Sequence, residues 1–279
     1  MSGSARSAPS SSALTTDASG PPSSGEPDAP LTRESPIPGV VPRYGLADWR
    51  ERWGIVAGIT SRGDGPVPGF DLGLWTREPV GEVMERWSRF RRAEAGFDRF
   101  VLGHQVHGAS ITWHVRGAGW TWVEGLDGHL TRDAGVLLLV TVADCVPVYM
   151  AVPGKAVGLL HAGWRGTAAG ILPRAIAHIA TGAEVAPSEI VMHFGVGICG
   201  SCYEVGSDVM RGCGVATEGS GPWHLDLRRL LADQARCAGA GEITMSSWCS
   251  AHDRSQFYSH RASGGTDGRM VAFIGMPAD

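Results

Sequence analysis

No stretch of about 18 or more uninterrupted apolar residues occurs in the chain, although 43% of its 279 residues are hydrophobic. It therefore has material for a sizeable core and no segment suited to cross a bilayer. A basic excess is missing too. The formal net charge is −4, which argues against nucleic acid as an obligatory partner, because phosphate binding normally shows as a basic surplus or stripe. The N-terminal region has neither an apolar signal-like core nor an Arg-rich amphipathic pattern, so it reads as neither a secretory nor a transit segment. Without such a signal, the six cysteines (Cys145, Cys199, Cys202, Cys213, Cys237, Cys249) are expected as reduced thiols in a cytoplasmic protein rather than as three disulfides. No internal repeat is visible.

What is present divides into two parts. Residues 1–42 are rich in Ser, Pro, Ala and Gly and are expected to form a disordered tail. Residues 43–279 are expected to form one catalytic domain of α+β class, with central mixed β-sheets flanked by helices. Ile55 to Thr60 reads as a strand running into a loop of turn formers at residues 61–66, which carries Arg62. Val80, Val83, Met84, Trp87 and Phe90 recur at helical spacing, predicting a helix from about Val80 to Ala95. The segments around Val136–Val142, Val146–Val152 and Ala156–Leu160 are nearly continuous apolar runs, as strands buried on both faces require. A helix is expected to follow from about Ala168 to Thr181, with its start nearer Ile171 if Pro173 is to fall in the first turn. Asp226 reads as the N-cap of another helix, and the last strand is expected from Arg269 to Ile274.

The chemistry concentrates where apolar segments end. His107, Cys145 and His161 supply two imidazoles and a thiol, the donor set of an open zinc site with a position left for water or substrate. They are far apart in sequence, so folding must assemble them, unlike the close pairs of a zinc finger. The same atoms permit a covalent reading, with Cys145 as nucleophile activated by a histidine and Asp144 nearby. Spacing alone leaves both open. Cys199-Gly200-Ser201-Cys202 has CxxC spacing but no second CxxC, and reads as a structural turn. Arg165, at a Gly-flanked strand-to-helix junction, and Arg261 and Arg269, in a polar loop before the last strand, are candidate anion-binding groups.

Gln105-Val106-His107-Gly108, Ala143-Asp144-Cys145-Val146-Pro147-Val148, His161-Ala162-Gly163-Trp164-Arg165-Gly166, Cys202-Tyr203-Glu204-Val205-Gly206 and Gly268-Arg269-Met270 occur in that order. From about Gly54 onward the chain thereby resembles the YfiH family, whose members are also called laccase-like multicopper polyphenol oxidoreductases, peptidoglycan editing factors or purine nucleoside phosphorylases related to FAMIN. The resemblance implies a YfiH-like fold and a zinc ion held by His107, Cys145 and His161. It also implies phosphorolysis of adenosine, inosine and methylthioadenosine, and deamination of adenosine, with purine nucleoside and phosphate as small-molecule partners. Arg62, Arg165 and Arg261 are then candidates for neutralising phosphate, and Asp127 and Asp144 for carrying protons or orienting the histidines. Four-copper oxidase chemistry fits poorly, since it needs many closely spaced histidines and only His104 and His107 form a His-x-x-His pair. An amidase using Cys145 on a peptidoglycan precursor and a non-catalytic binding protein are the alternatives. The chain departs from the family pattern at Asp71, at Arg86-Trp87 and at Ala262-Ser263, changes expected to alter the substrate pocket.

Overall fold

The computed structural model describes residues 29–63 and 69–278. Residues 1–28 of the expected tail and residues 64–66 of the expected turn-rich loop lie outside the described residues.

Two seven-stranded mixed sheets pack face to face. In spatial order the first contains Leu31–Thr32, Ile243–Ser246, Val191–Phe194, Val146–Val152, Ala156–Ala162, Gly128–Thr131 and Ile111–His114. The second contains Ser35–Pro36, Arg43–Gly45, Val56–Thr60, Met270–Met276, Val136–Val142, Arg99–His104 and Gly119–Glu124. The α+β architecture expected from the sequence is therefore present.

The apolar runs explain the layering. Along Val136–Val142, Val136, Leu138, Val140 and Val142 face the other sheet, while Leu137 and Leu139 face outward against Val83, Trp87 and Phe90 of the helix Val80–Ala93. Along Val146–Val152, Tyr149 and Ala151 enter the layer between the sheets. Val146, Val148 and Met150 meet the helices Ile171–Ala183 and Leu227–Cys237 on the opposite face. A strand covered on both sides has no solvent face, so alternation disappears from its sequence. Each fully buried Leu or Val contributes about 1.5–3 kcal/mol relative to exposure, which makes this four-layer arrangement the main source of stability.

Local signals set the helix ends. Pro173 occupies the first turn of Ile171–Ala183, where its missing N–H costs no hydrogen bond. The Asp226 carboxylate accepts from the N–H groups of Arg228 and Arg229, capping Leu227–Cys237.

The boundary expected at residue 42 lies too late. Leu31–Thr32 adds a parallel edge strand beside Met245 and Ser246, and Ser35–Pro36 pairs with Tyr44 and Gly45. Between them Glu34 is buried, accepting from Ser246 Oγ at 2.7 Å and lying 3.0 Å from His193 Nε2. The Ser- and Pro-rich composition conceals this because the strands are only two residues long and take their partners from distant parts of the chain.

Candidate active site

Three connections switch the chain from the second sheet to the first, and they meet at one end of the sandwich. The link from Arg99–His104 to Ile111–His114 carries His107, the link from Gly119–Glu124 to Gly128–Thr131 carries Asp127, and the link from Val136–Val142 to Val146–Val152 carries Cys145. His161, near the end of Ala156–Ala162, completes the group. The metal-ligating atoms of His107, Cys145 and His161 all lie within 4.8 Å of one another. Folding thus assembles the trio expected from the sequence.

Two of these links hold strained backbone. His107 has φ 59° and Asp144 has φ 88°, values rarely adopted by side-chain-bearing residues and sustained only where surrounding bonds fix them. For His107 the fixing group is Asp127, which is fully buried. Its carboxylate accepts from the backbone N–H groups of Val106 at 3.1 Å, His107 at 3.0 Å and Gly108 at 2.8 Å. The same carboxylate lies 2.8 Å from His161 Nδ1. Burial alone would raise its pKa, but the hydrogen bonds from His161, Gly108 and Val106 outweigh it and hold the carboxyl below its ordinary range. With Nδ1 committed to Asp127, His161 presents Nε2 to the site, the arrangement by which a buried carboxylate orients a metal-binding or catalytic imidazole. Gln105 braces the same loop through bonds between its side-chain amide and Thr141 O, N and Oγ1.

Cys145 and His161 form an electrostatic pair. Burial opposes a thiolate, yet the His161 charge and hydrogen bonds from His107 and His161 bring the Cys145 thiol down to about 6. Burial likewise opposes an imidazolium, but the Cys145 thiolate and Asp127 raise His161 to about 9. The sulfur is thus disposed to be anionic at neutral pH, the form that either binds metal or attacks an electrophile.

The trio fits a single metal ion. Beyond its donor set, a Cβ on Gly163 would come within 3.0 Å of Cys145 Sγ and 3.1 Å of His107 Cδ2, so the glycine keeps a cradle open beside the ligands. Gly166 permits a second close approach, since its Cβ would sit 2.8 Å from Gly108 O. A four-copper centre does not fit: among the described residues the only two groups able to hold a metal are this trio and Cys199, Cys202, Cys249 and His252.

The trio opens into a cleft of ≈ 450 Å³ whose walls include Gln105, Tyr203, His260, Arg261 and Arg269. At its mouth Trp75, His104 and Trp122 cluster, with ring centroids 5.2 Å apart for Trp75 and His104 and 5.5 Å for the two indoles. Trp75 is 71% exposed and Trp122 40%, and the Trp122 Nε1 donates to Glu124 Oε1 at 2.9 Å. Trp122 shares the outward face of an edge strand with Trp120 and Glu124. Trp75 reaches this face from the loop before the helix Val80–Ala93.

The other expected site residues separate. Arg261 lines the cleft, its Nη1 donating to Glu204 O at 2.6 Å and its guanidinium lying 5.1 Å from the Tyr203 ring centroid. Arg269 also lines it, with Nη1 donating to Asp267 O and Gly268 O. Arg62 is not on the cleft. It makes a two-pronged bond to Asp267, 2.7 Å to each oxygen, and stacks on Tyr258. Arg165 lies over the ring of its neighbour Trp164, also away from the cleft lining. Asp144 reaches the cleft wall, but its carboxylate accepts from Ser250 Oγ and Ser259 Oγ, each at 2.7 Å, and from Arg261 N at 2.6 Å. It fixes the Cys145 turn and the Arg261 loop rather than orienting a histidine, which Asp127 does. The departures from the family pattern also lie off the cleft lining. Arg86 pairs with Glu78 and Glu82, and Trp87 is buried with Nε1 donating to Leu72 O. Asp71 accepts from Gly73 N and Arg269 N, and Ala262 and Ser263 lie beyond the cleft residues His260 and Arg261.

Sequence reasoning missed one cluster. Cys199-Gly200-Ser201-Cys202 does form a turn, but Cys249 and His252 sit across it. The signal was present, because Cys249-Ser250-Ala251-His252 repeats the two-residue spacing with histidine as the fourth donor.

Residues 56–277 match the family described as multi-copper polyphenol oxidoreductase laccase. A purine nucleoside phosphorylase YlmD of Geobacillus stearothermophilus is 37% identical over 247 residues, covering 80% of this chain and 90% of that protein. A purine nucleoside phosphorylase of Deinococcus radiodurans is 38% identical over 223 residues, covering 76% of this chain and 84% of that protein. The crystal structure of YlmD from Geobacillus stearothermophilus superposes with a TM-score of 0.78, at 32% identity, over 88% of this chain and 100% of that one. Among the described residues no helix is long and apolar enough to cross a membrane.

Proposed function

The chain belongs to the multi-copper polyphenol oxidoreductase laccase family, and from that premise we propose that it is a zinc-dependent purine nucleoside phosphorylase. It would act on adenosine, inosine and methylthioadenosine, with deamination of adenosine as a second activity of the same cleft. The observation that carries this reading is one cleft holding three features: the His107, Cys145 and His161 trio, two arginines, and an exposed aromatic cluster. The names of the relatives from Geobacillus and Deinococcus support it.

Each feature has a task. The faces of Trp75, Trp122 and His104 offer stacking surfaces for a purine, a contact worth about 1–3 kcal/mol per base. Arg261 spends one N–H on Glu204 O and retains other donors of its planar fork for a phosphate oxygen; Arg269 adds a second cationic group nearby. In phosphorolysis a phosphate oxygen bonds to ribose C1′ as the C1′–N9 bond breaks, and the purine keeps the electron pair and takes up a proton. Burial and the Cys145 thiolate push Tyr203 up to about 12, so its phenol stays a hydrogen-bond donor at the cleft wall throughout the neutral range. Asp127 holds the His161 ring through Nδ1, so its orientation is set before substrate arrives. Zinc held by the trio would supply a Lewis-acid charge beside the substrate.

The test is incubation of the metal-replete protein with each nucleoside, with and without phosphate. Free base and ribose 1-phosphate appearing only with phosphate establish phosphorolysis; inosine formed from adenosine without phosphate establishes deamination. No product from any of the three nucleosides would remove the reading. One geometric fact favours a second reading, the Cys145-dependent amidase: Asp127, His161 and Cys145 also have the order of an acid–histidine–thiol nucleophile. Substrate choice separates the two, since an amidase of that kind would cleave a peptidoglycan-precursor amide and leave all three nucleosides unchanged.

A further inference from the structure

We infer that Cys199, Cys202, Cys249 and His252 form a second metal site, a closed Cys₃His zinc staple on the flank of the active cleft. The ligand atoms of all four residues lie within 4.8 Å of one another. Around the His252 ring, Cys202 Sγ stands 3.1 Å from Nε2 and Cys199 Sγ 3.7 Å from Nδ1. Three thiols and an imidazole are a complete tetrahedral donor set, with no position left for substrate, as structural zinc sites require. Soft thiolates with one borderline imidazole favour zinc over the hard cations that oxygen ligands select.

The surrounding backbone is already built as a two-loop clamp. Gly197 and Cys249 form a parallel bridge, and Ser250 N donates to Gly197 O at 3.1 Å. Cys199 N donates to Cys249 Sγ at 3.3 Å, an amide-to-sulfur bond that stabilises a thiolate ligand. Asp253 accepts from Cys249 N at 2.9 Å and closes the second loop upon itself. Each loop supplies its donors at two-residue spacing, Cys-x-x-Cys and Cys-x-x-His. A disulfide between any two of the cysteines would strand the third thiol and the imidazole, whereas one ion uses all four.

The staple has a purpose in the cleft. Cys202 precedes Tyr203, a cleft residue. Ser250, next to Cys249, donates to the Asp144 carboxylate, while Ile198, next to Cys199, donates its N–H to Asp144 O. Both clamped loops therefore grip the turn that presents Cys145. The ion would tie together two segments separated widely in sequence and so hold that turn in its left-handed conformation. This inference does not depend on the reaction assigned above, because it concerns a site closed to substrate.

Metal analysis of the full-length protein as purified tests it. The wild-type chain is expected to carry about two zinc ions, and Cys202→Ser or His252→Ala about one. About one ion in the wild type, left unchanged by Cys202→Ser, overturns the proposal, as does a disulfide among these cysteines in non-reduced peptide maps. Thiol labelling of the wild type needs no substitution and so survives a variant that does not fold. Cys199, Cys202 and Cys249 should label at least about tenfold more slowly with zinc bound than after chelation, and equal rates contradict the staple. Cobalt substitution in the His161→Ala chain isolates the cluster: strong thiolate-to-cobalt absorption is expected there and should vanish on adding Cys202→Ser. Absence of that absorption in the His161→Ala chain also counts against the site.

Discussion

The two cysteine–histidine clusters differ in almost every respect that decides what a metal can do. At His107, Cys145 and His161 three donors converge on the floor of a cleft, a glycine keeps space beside them, and a buried carboxylate orients one imidazole. At Cys199, Cys202, Cys249 and His252 four donors from two tight loops close on one another, and their supporting bonds run to backbone. The first arrangement leaves room for a reacting molecule; the second fills its own coordination shell. Residue type alone does not separate a site for chemistry from a site for support, since both are built from histidine and cysteine. Donor number, open volume and what holds the ligands in place do.

Substitutions sharpen that contrast. The largest effect is expected from Cys145→Ala, which removes a donor of the open site: phosphorolysis should fall on the order of a thousandfold or more while the far-ultraviolet dichroism stays native. Asp127→Asn keeps the size of the side chain but weakens its hold on His161, and should cost about 10–100-fold in metal affinity or activity, read by metal titration and kcat/KM. Removal of the aromatic mouth by Trp122→Ala should raise KM for adenosine about tenfold with a smaller change in kcat, because stacking is made in ground and transition states alike. Smallest is the effect on catalysis of Arg62→Ala. It should leave KM for phosphate within about twofold while lowering stability by about 1.5–3 kcal/mol in denaturant melts, since the arginine is spent on a partly buried charged hydrogen bond to Asp267. A large rise in phosphate KM for Arg62→Ala would erase the distinction between cleft arginines and structural ones.

The open site was legible because its residues end apolar runs. Leu137, Leu138 and Leu139 announce a strand covered on both faces, and Cys145 follows where that strand stops. The helix caps were legible for a similar reason, as Pro173 and Asp226 act through bonds to near neighbours. What escaped the sequence is pairing over distance. Arg62 meets Asp267 across 205 positions, Glu34 meets Ser246 across 212, and Asp144 is claimed by Ser250 and Ser259 rather than by a histidine. A charged residue advertises its charge but not its partner, so free and committed arginines read alike until the fold brings the partner in. The same limit explains why Asp127 and Asp144 looked interchangeable. The Cys-x-x-His pair escaped for another reason, since a search for a second CxxC passes over a histidine in the fourth place.

On this reading the trio carries metal-dependent phosphorolysis. Its most direct test is the rate of adenine release from adenosine in phosphate buffer as the metal-stripped protein is refilled with zinc. The rate should be near zero in the stripped protein and rise in proportion to zinc bound at His107, Cys145 and His161, reaching a plateau when that site is full. A full rate in the stripped protein, or none at any occupancy, would contradict the claim.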